Sequence, residues 1–171
     1  MHEFEQEYLK VTISRLKFYK QLAEKTFDQL DGKDFHWQPG GESNSIAVII
    51  QHMAGNMLSR WTNFLTEDGE KEWRQRDDEF ELHDYSKEKL IALWDDGWKC
   101  FLDALVSLSP EDLIKTITIR SEALSVVDAI NRQLAHYAYH VGQIVYVGRM
   151  IKKDGWINLS IPKGESLKYK V

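Results

Sequence analysis

Cysteine is nearly absent from this chain of 171 residues. Cys100 stands alone, so no internal disulfide can form and no thiolate cluster can hold a metal. Three prolines and ten glycines are too few for a low-complexity or linker-rich chain. No apolar run approaches the roughly 20 residues needed to cross a bilayer. A basic excess is missing too. The net charge is −5, from 22 Lys and Arg against 27 Asp and Glu, which argues against nucleic acid or an anionic membrane as partner. The start, Met1-His2-Glu3-Phe4-Glu5, has neither the cationic opening nor the apolar stretch of a secretory leader. A cytoplasmic protein is the expectation.

What remains is the balance of a globular protein, 43% hydrophobic and 29% charged. The length suits a single domain over residues 1–171. Six tryptophans predict an aromatic-rich interior; Trp61, Trp73, Trp94 and Trp98 are expected in the core. Cys100 is expected to be a buried, inert thiol.

Four segments carry helical periodicity. The first spans about Glu3 to Leu30, with Phe4, Tyr8, Val11, Phe18 and Leu22 at spacings of three, four or seven. Asp31-Gly32 is read as its stop. The second starts near Ser43-Asn44-Ser45, whose side chains suit a cap, and runs through Ile46, Ile50, Met53, Met57 and Phe64 toward Asp68-Gly69. The third is capped by Ser86 and marked by Leu90, Trp94, Gly97, Phe101, Ala104 and Leu108. Thr116-Ile117-Thr118-Ile119 reads as a short extended piece. The fourth opens at Ser125, with Asp128 three residues on, and continues to Ile151. A tail over about 156–171 has no helical period.

Four such helices predict an all-α four-helix bundle. The loop between helices one and two is short enough for antiparallel neighbours. The charged crossover over about 67–85 is long enough to return the chain, making helices two and three parallel, an up-down-down-up order. Its three aromatics, Trp73, Phe80 and Tyr85, argue for an ordered segment.

Three of the six histidines stand out. His136 and His140 are four apart, so both rings leave one face of helix four. That spacing lets two imidazoles reach one ion at ~2.0–2.1 Å. Gln133 and Gln143 share their stripe. On helix two, Ser45, His52, Asn56, Ser59 and Asn63 form a second polar stripe beside the apolar seam, where polar groups are costly unless partnered. If both stripes line one cleft, His52 supplies a third imidazole. Alone, a pair at this spacing is more often a solvated face or a hydrogen-bonded boundary. His2, His36 and His83 are read as surface residues.

The pattern of His52 with His136-x-x-x-His140-x-x-Gln143 resembles the DinB/YfiT-like superfamily of metal-binding four-helix bundles. Ser43-Asn44-Ser45-Ile46, His52-x-x-Gly55-Asn56, Asp68-Gly69-Glu70-Lys71, Arg74-x-Arg76-Asp77-x-Glu79-Phe80 and Leu159-Ser160-Ile161-Pro162-Lys163-Gly164 resemble one uncharacterised branch of it. The resemblance implies helices two and three in parallel, one divalent transition metal (zinc or nickel) on His52, His136 and His140, and a homodimer.

Three histidines leave coordination positions open, the arrangement of a reactive site. Related bundles are thiol-dependent enzymes, so the resemblance implies a metal-dependent thiol S-transferase acting on a small electrophile with a low-molecular-weight thiol as cosubstrate. Tyr137 stands where a His-Glu-x-x-His motif would carry its glutamate. Asn56 and Gln143 are candidates for supporting the ligands or a water, against a plain interhelical hydrogen bond. Arg60, Arg74 and Arg76, beside Asp77 and Glu79, are candidates for binding an anionic substrate; the competing view is an internal ion-pair network. The other function classes are a non-enzymatic metal-binding or dimerisation module and a metal-dependent hydrolase.

Overall fold

The computed structural model describes residues 2–168. Residues 169–171, the end of the expected non-helical tail, and Met1 lie outside the described residues. Four helices dominate: α1 (Glu3–Phe27), α2 (Ile46–Trp61), α3 (Lys87–Val106) and α4 (Val126–Lys152). Each of the last three starts on a serine. The Ser45, Ser86 and Ser125 hydroxyls accept the backbone N–H of Val48, Lys89 and Asp128, satisfying a donor that the first turn leaves free.

Side-chain contacts fix the directions. Gly97 of α3 faces Ala54 of α2, and Phe101 packs on Trp61 with ring centroids 4.6 Å apart, so these helices advance together and are parallel. Tyr8 bonds to Asn131 while Thr26 meets Gly148, so α1 and α4 are also parallel. Between these pairs the sense reverses: Lys20 of α1 meets Asp95 of α3, whereas the later Phe27 carbonyl accepts from Nζ of the much earlier Lys87. The result is an up-down-down-up four-helix bundle.

The core is an aromatic column. Phe27 meets Trp94 edge-on, Trp94 meets Trp98, and Trp98 and Phe101 both pack on Tyr137 of α4. Such pairs add about 0.5–1.5 kcal/mol each beyond area burial. Gly97 permits the column, because a Cβ there would sit 3.0 Å from the Ala54 Cα. Trp73 does not join it. The expected core tryptophan is 56% exposed, carried on the charged crossover away from the helical seams. Cys100 is only half-buried, beside the Thr62 hydroxyl.

Helix ends differ from expectation where local chemistry intervenes. α1 stops at Phe27, and Gly32 begins a 3₁₀ turn in which the Asp31 N–H donates to the Asp34 carboxylate at 2.9 Å. α2 stops at Trp61 rather than near Asp68, because Thr62 turns extended and Asn63 takes φ +49°. Asparagine tolerates that left-handed conformation. Phe64 still reaches the core from beyond the helix.

The extended Thr116-Ile117-Thr118-Ile119 acquires a partner. Strand β1 (Thr116–Ile119) pairs antiparallel with β2 (Glu122–Ser125), so a small hairpin joins the four helices. Its two-residue turn, Arg120-Ser121, has φ +56° and +61°, conformations favoured by Asn-Gly. The crossover compensates. The Asp68 carboxylate accepts the N–H of Arg120 and of Ser121 at 2.8 Å each, and that of Glu70 at 2.7 Å. Those backbone donors, Glu70 first, hold the Asp68 carboxyl down to about 2.

Candidate metal centre

Helix α2 presents His52, and α4 presents His136 and His140 one turn apart. The antiparallel crossing of these helices brings all three rings to one point. His136 Nε2 lies 3.3 Å from His52 Nε2 and 3.0 Å from His140 Nε2. A nitrogen edge of a tetrahedral site with ~2.0–2.1 Å bonds is about 3.3 Å. The three residues form a group whose ligand atoms lie within 4.8 Å of one another and which could hold a metal ion.

The outer nitrogens explain the convergence. His52 Nδ1 donates to Glu79 Oε2 at 3.0 Å, and His140 Nδ1 donates to Gln143 Oε1 at 2.8 Å. A neutral ring whose proton sits on Nδ1 turns a lone pair inward at Nε2. Two such lone pairs therefore meet at His136 Nε2, which can donate a proton to only one of them. A cation relieves that crowding. The donor set fits a divalent ion.

Burial keeps the His136 and His140 rings uncharged. It lowers the His136 pKa to about 3, helped by His140 and His52 and by Arg132 and Arg74 nearby. Burial likewise lowers His140 to about 4, against the opposing bond from Gln143. Metal ligands must be deprotonated, so both effects favour binding. Phe80 covers His52 with ring centroids 4.9 Å apart, and the Arg76 guanidinium lies 5.2 Å over Phe80.

Glu79 comes from the crossover, 27 positions from its histidine. Arg74 grips it bidentately, Nε to Oε1 at 2.7 Å and Nη2 to Oε2 at 2.9 Å. Burial raises the Glu79 pKa, but the bonds from His52 and Arg74 outweigh this and hold it below the usual range. Beneath it lies Gly55, where a Cβ would stand 2.1 Å from Glu79 Oε1. The sequence shows Glu79 as one of several loop charges, and its pairing with His52 has no local signal.

The remaining candidates divide. Gln143 supports His140, and its amide nitrogen reaches the Tyr139 hydroxyl at 3.0 Å. Asn56 instead accepts the Tyr137 hydroxyl at 3.0 Å, an interhelical bond inside the core. Arg60 is buried and donates to the Gly69 carbonyl and the Glu70 carboxylate. Arg74 is buried on Glu79. Arg76 is half exposed at the rim, 3.8 Å from Asp77. Gln133 is buried, and its Oε1 has no hydrogen-bond partner among the described residues. His36 Nε2 meets the Tyr85 carbonyl, and His83 stacks on Tyr85, both away from the site.

The chain belongs to the DUF1572 family of proteins of unknown function, whose model matches residues 3–165. No curated protein and no solved structure matches it.

Proposed function

We propose that this member of the DUF1572 family is a DinB/YfiT-like metalloprotein in which His52, His136 and His140 hold one divalent transition metal, zinc or nickel. We further propose a metal-dependent thiol S-transferase that joins a low-molecular-weight thiol to a small electrophile. One observation carries the reading: three imidazoles converge through Nε2 at 3.0 and 3.3 Å, two of them with Nδ1 tied off by hydrogen bonds. When bound, such an ion supplies Lewis acidity and lowers the pKa of a thiol or water beside it.

The chain's own residues supply the rest. Glu79 and Gln143 hold two rings in the tautomer that faces the ion. Phe80 shields the His52 ring from water. Of the three candidate arginines, Arg76, exposed beyond Phe80, is the one placed to meet a substrate carboxylate, since Arg60 and Arg74 are engaged within the protein. No helix of the described residues is long and apolar enough to cross a membrane, and the setting we propose is cytoplasmic. We also propose a homodimer, to which the exposed Phe4, Val11 and Phe18 on α1 offer an apolar stripe.

Two measurements test this. Elemental analysis is expected to find about one metal per chain, lost when all three histidines are replaced by alanine; stoichiometric metal in that triple variant would refute the site. Metal-loaded protein is then mixed with a thiol and a haloarene. Thiol-dependent turnover that disappears in His140→Ala supports transfer. Turnover without thiol points to hydrolysis, and no turnover over a broad panel points to a binding or dimerisation role.

A further inference from the structure

The crossover and the three histidines are joined by one continuous chain of contacts. Arg74, with its side chain 2% exposed, holds both oxygens of Glu79, and Glu79 Oε2 takes the Nδ1–H of His52. The approach needs a bare backbone. Gly55 is one turn from His52 on α2, and any side chain there would meet Glu79 Oε1 at 2.1 Å and its Cδ at 2.7 Å. The next residue, Phe80, lies against the same imidazole. A loop that merely bridged two helices would need none of these three features together.

We infer that the crossover is a working part of the metal centre: Glu79, locked by Arg74 and admitted by Gly55, is a positioning residue for His52, so ion occupancy and the order of residues 74–80 are coupled. The inference rests on the three-histidine reading and goes beyond it, because it assigns a role to a segment that supplies no ligand. A carboxylate behind a ligating histidine fixes the ring and raises its basicity, and losing such a partner costs 10- to 100-fold in affinity. Coupling is reciprocal. Whatever the carboxylate adds to ion affinity, the ion returns as order in the loop.

The test uses the full chain and zinc, with affinity read by competition against a chromogenic chelator. Glu79→Gln is expected to weaken zinc binding 10- to 100-fold. That change also leaves the Arg74 guanidinium buried without its carboxylate, so a second variant is needed. Gly55→Ala removes no polar group and places a better helix former in α2, yet it is expected to weaken zinc comparably by displacing Glu79. The double variant is expected to lose no more than the weaker-binding single variant, within twofold. Amide exchange over residues 74–80 is expected to slow when zinc is added to the wild type and to stay unchanged in either variant. Zinc affinity within twofold of wild type in both variants, or losses that multiply, would overturn the inference. Should Glu79→Gln fail to fold, the wild-type exchange decides alone, and no zinc-dependent slowing at 74–80 would refute it. If the wild type binds no zinc, the three-histidine reading falls and takes this inference with it. Normal wild-type binding with indifferent variants removes this inference only.

Discussion

Tyr137 of α4 donates a 3.0 Å hydrogen bond to Asn56 Oδ1 of α2, and both side chains are buried. This bond ties together the two helices that carry the histidines, one residue from His136 and one turn from His52. Tyr137→Phe leaves the Asn56 oxygen buried without that donor. Unsatisfied groups of this kind cost about 1–3 kcal/mol. Denaturant unfolding of the variant is expected to show a loss in that range with an unchanged m-value. An equal stability for both proteins would show that the bond contributes nothing.

Metal held by the three histidines, as proposed, would link occupancy to stability. An ion that binds only the folded chain adds about 2.7 kcal/mol at a free concentration 100 times its dissociation constant. Thermal scans are expected to show a rise in Tm on adding zinc or nickel, and the rise is expected to vanish in His52→Ala. A His52→Ala protein that keeps the full shift would place the ion elsewhere.

On the proposed function, Gln143 supports a ligand and Arg76 meets substrate, and two variants separate these roles. Gln143→Ala frees the His140 ring and is expected to reduce metal affinity about tenfold or more. Arg76→Ala touches no histidine directly and is expected to change metal affinity far less than Gln143→Ala while raising KM for carboxylate-bearing substrates. Titrating each variant with zinc checks the first half; steady-state kinetics checks the second.

Acid should loosen the hairpin through Asp68. Its pKa is lowered from 3.8 to about 2 in the folded chain, so the unfolded chain binds the proton more readily. The stability from this carboxylate is complete above the unfolded value and is lost as pH falls from about 4 through about 2. Asp68→Asn is expected to be less stable than wild type at pH 7, with the difference shrinking toward pH 2. A difference independent of pH would mean that the carboxylate charge is not what holds the turn.

Close packing of α2 on α3 depends on Gly97. A Cβ at 3.0 Å from the Ala54 Cα meets backbone, which cannot rotate aside. Gly97→Val is expected to cost ~1–3 kcal/mol by forcing the helices apart, and near-UV circular dichroism should report disturbed packing of Trp94 and Trp98. Unchanged stability and spectrum would contradict the tight crossing.

The sequence by itself determined the four helices, because apolar spacing and serine caps act within a few residues. It likewise determined that His136 and His140 share a face, since their separation equals about one helical turn. The length of the segment between α2 and α3 indicated parallel helices. What depends on distant residues was decided only by tertiary structure. Thr116–Ile119 found its partner strand, and Asp68 found the turn it caps. Arg60 and Arg74, for which the sequence left open substrate binding or an internal ion-pair network, became buried ion pairs, while Trp73 stayed outside the core. Among the two supporting candidates, Gln143 reached its histidine and Asn56 took the core hydrogen bond instead. Glu79 reaches His52 because Gly55 leaves room for it, and that room exists only where the crossover lies against α2. Local spacing put His136 and His140 on one face; long-range packing brought His52 to them and chose what holds the rings.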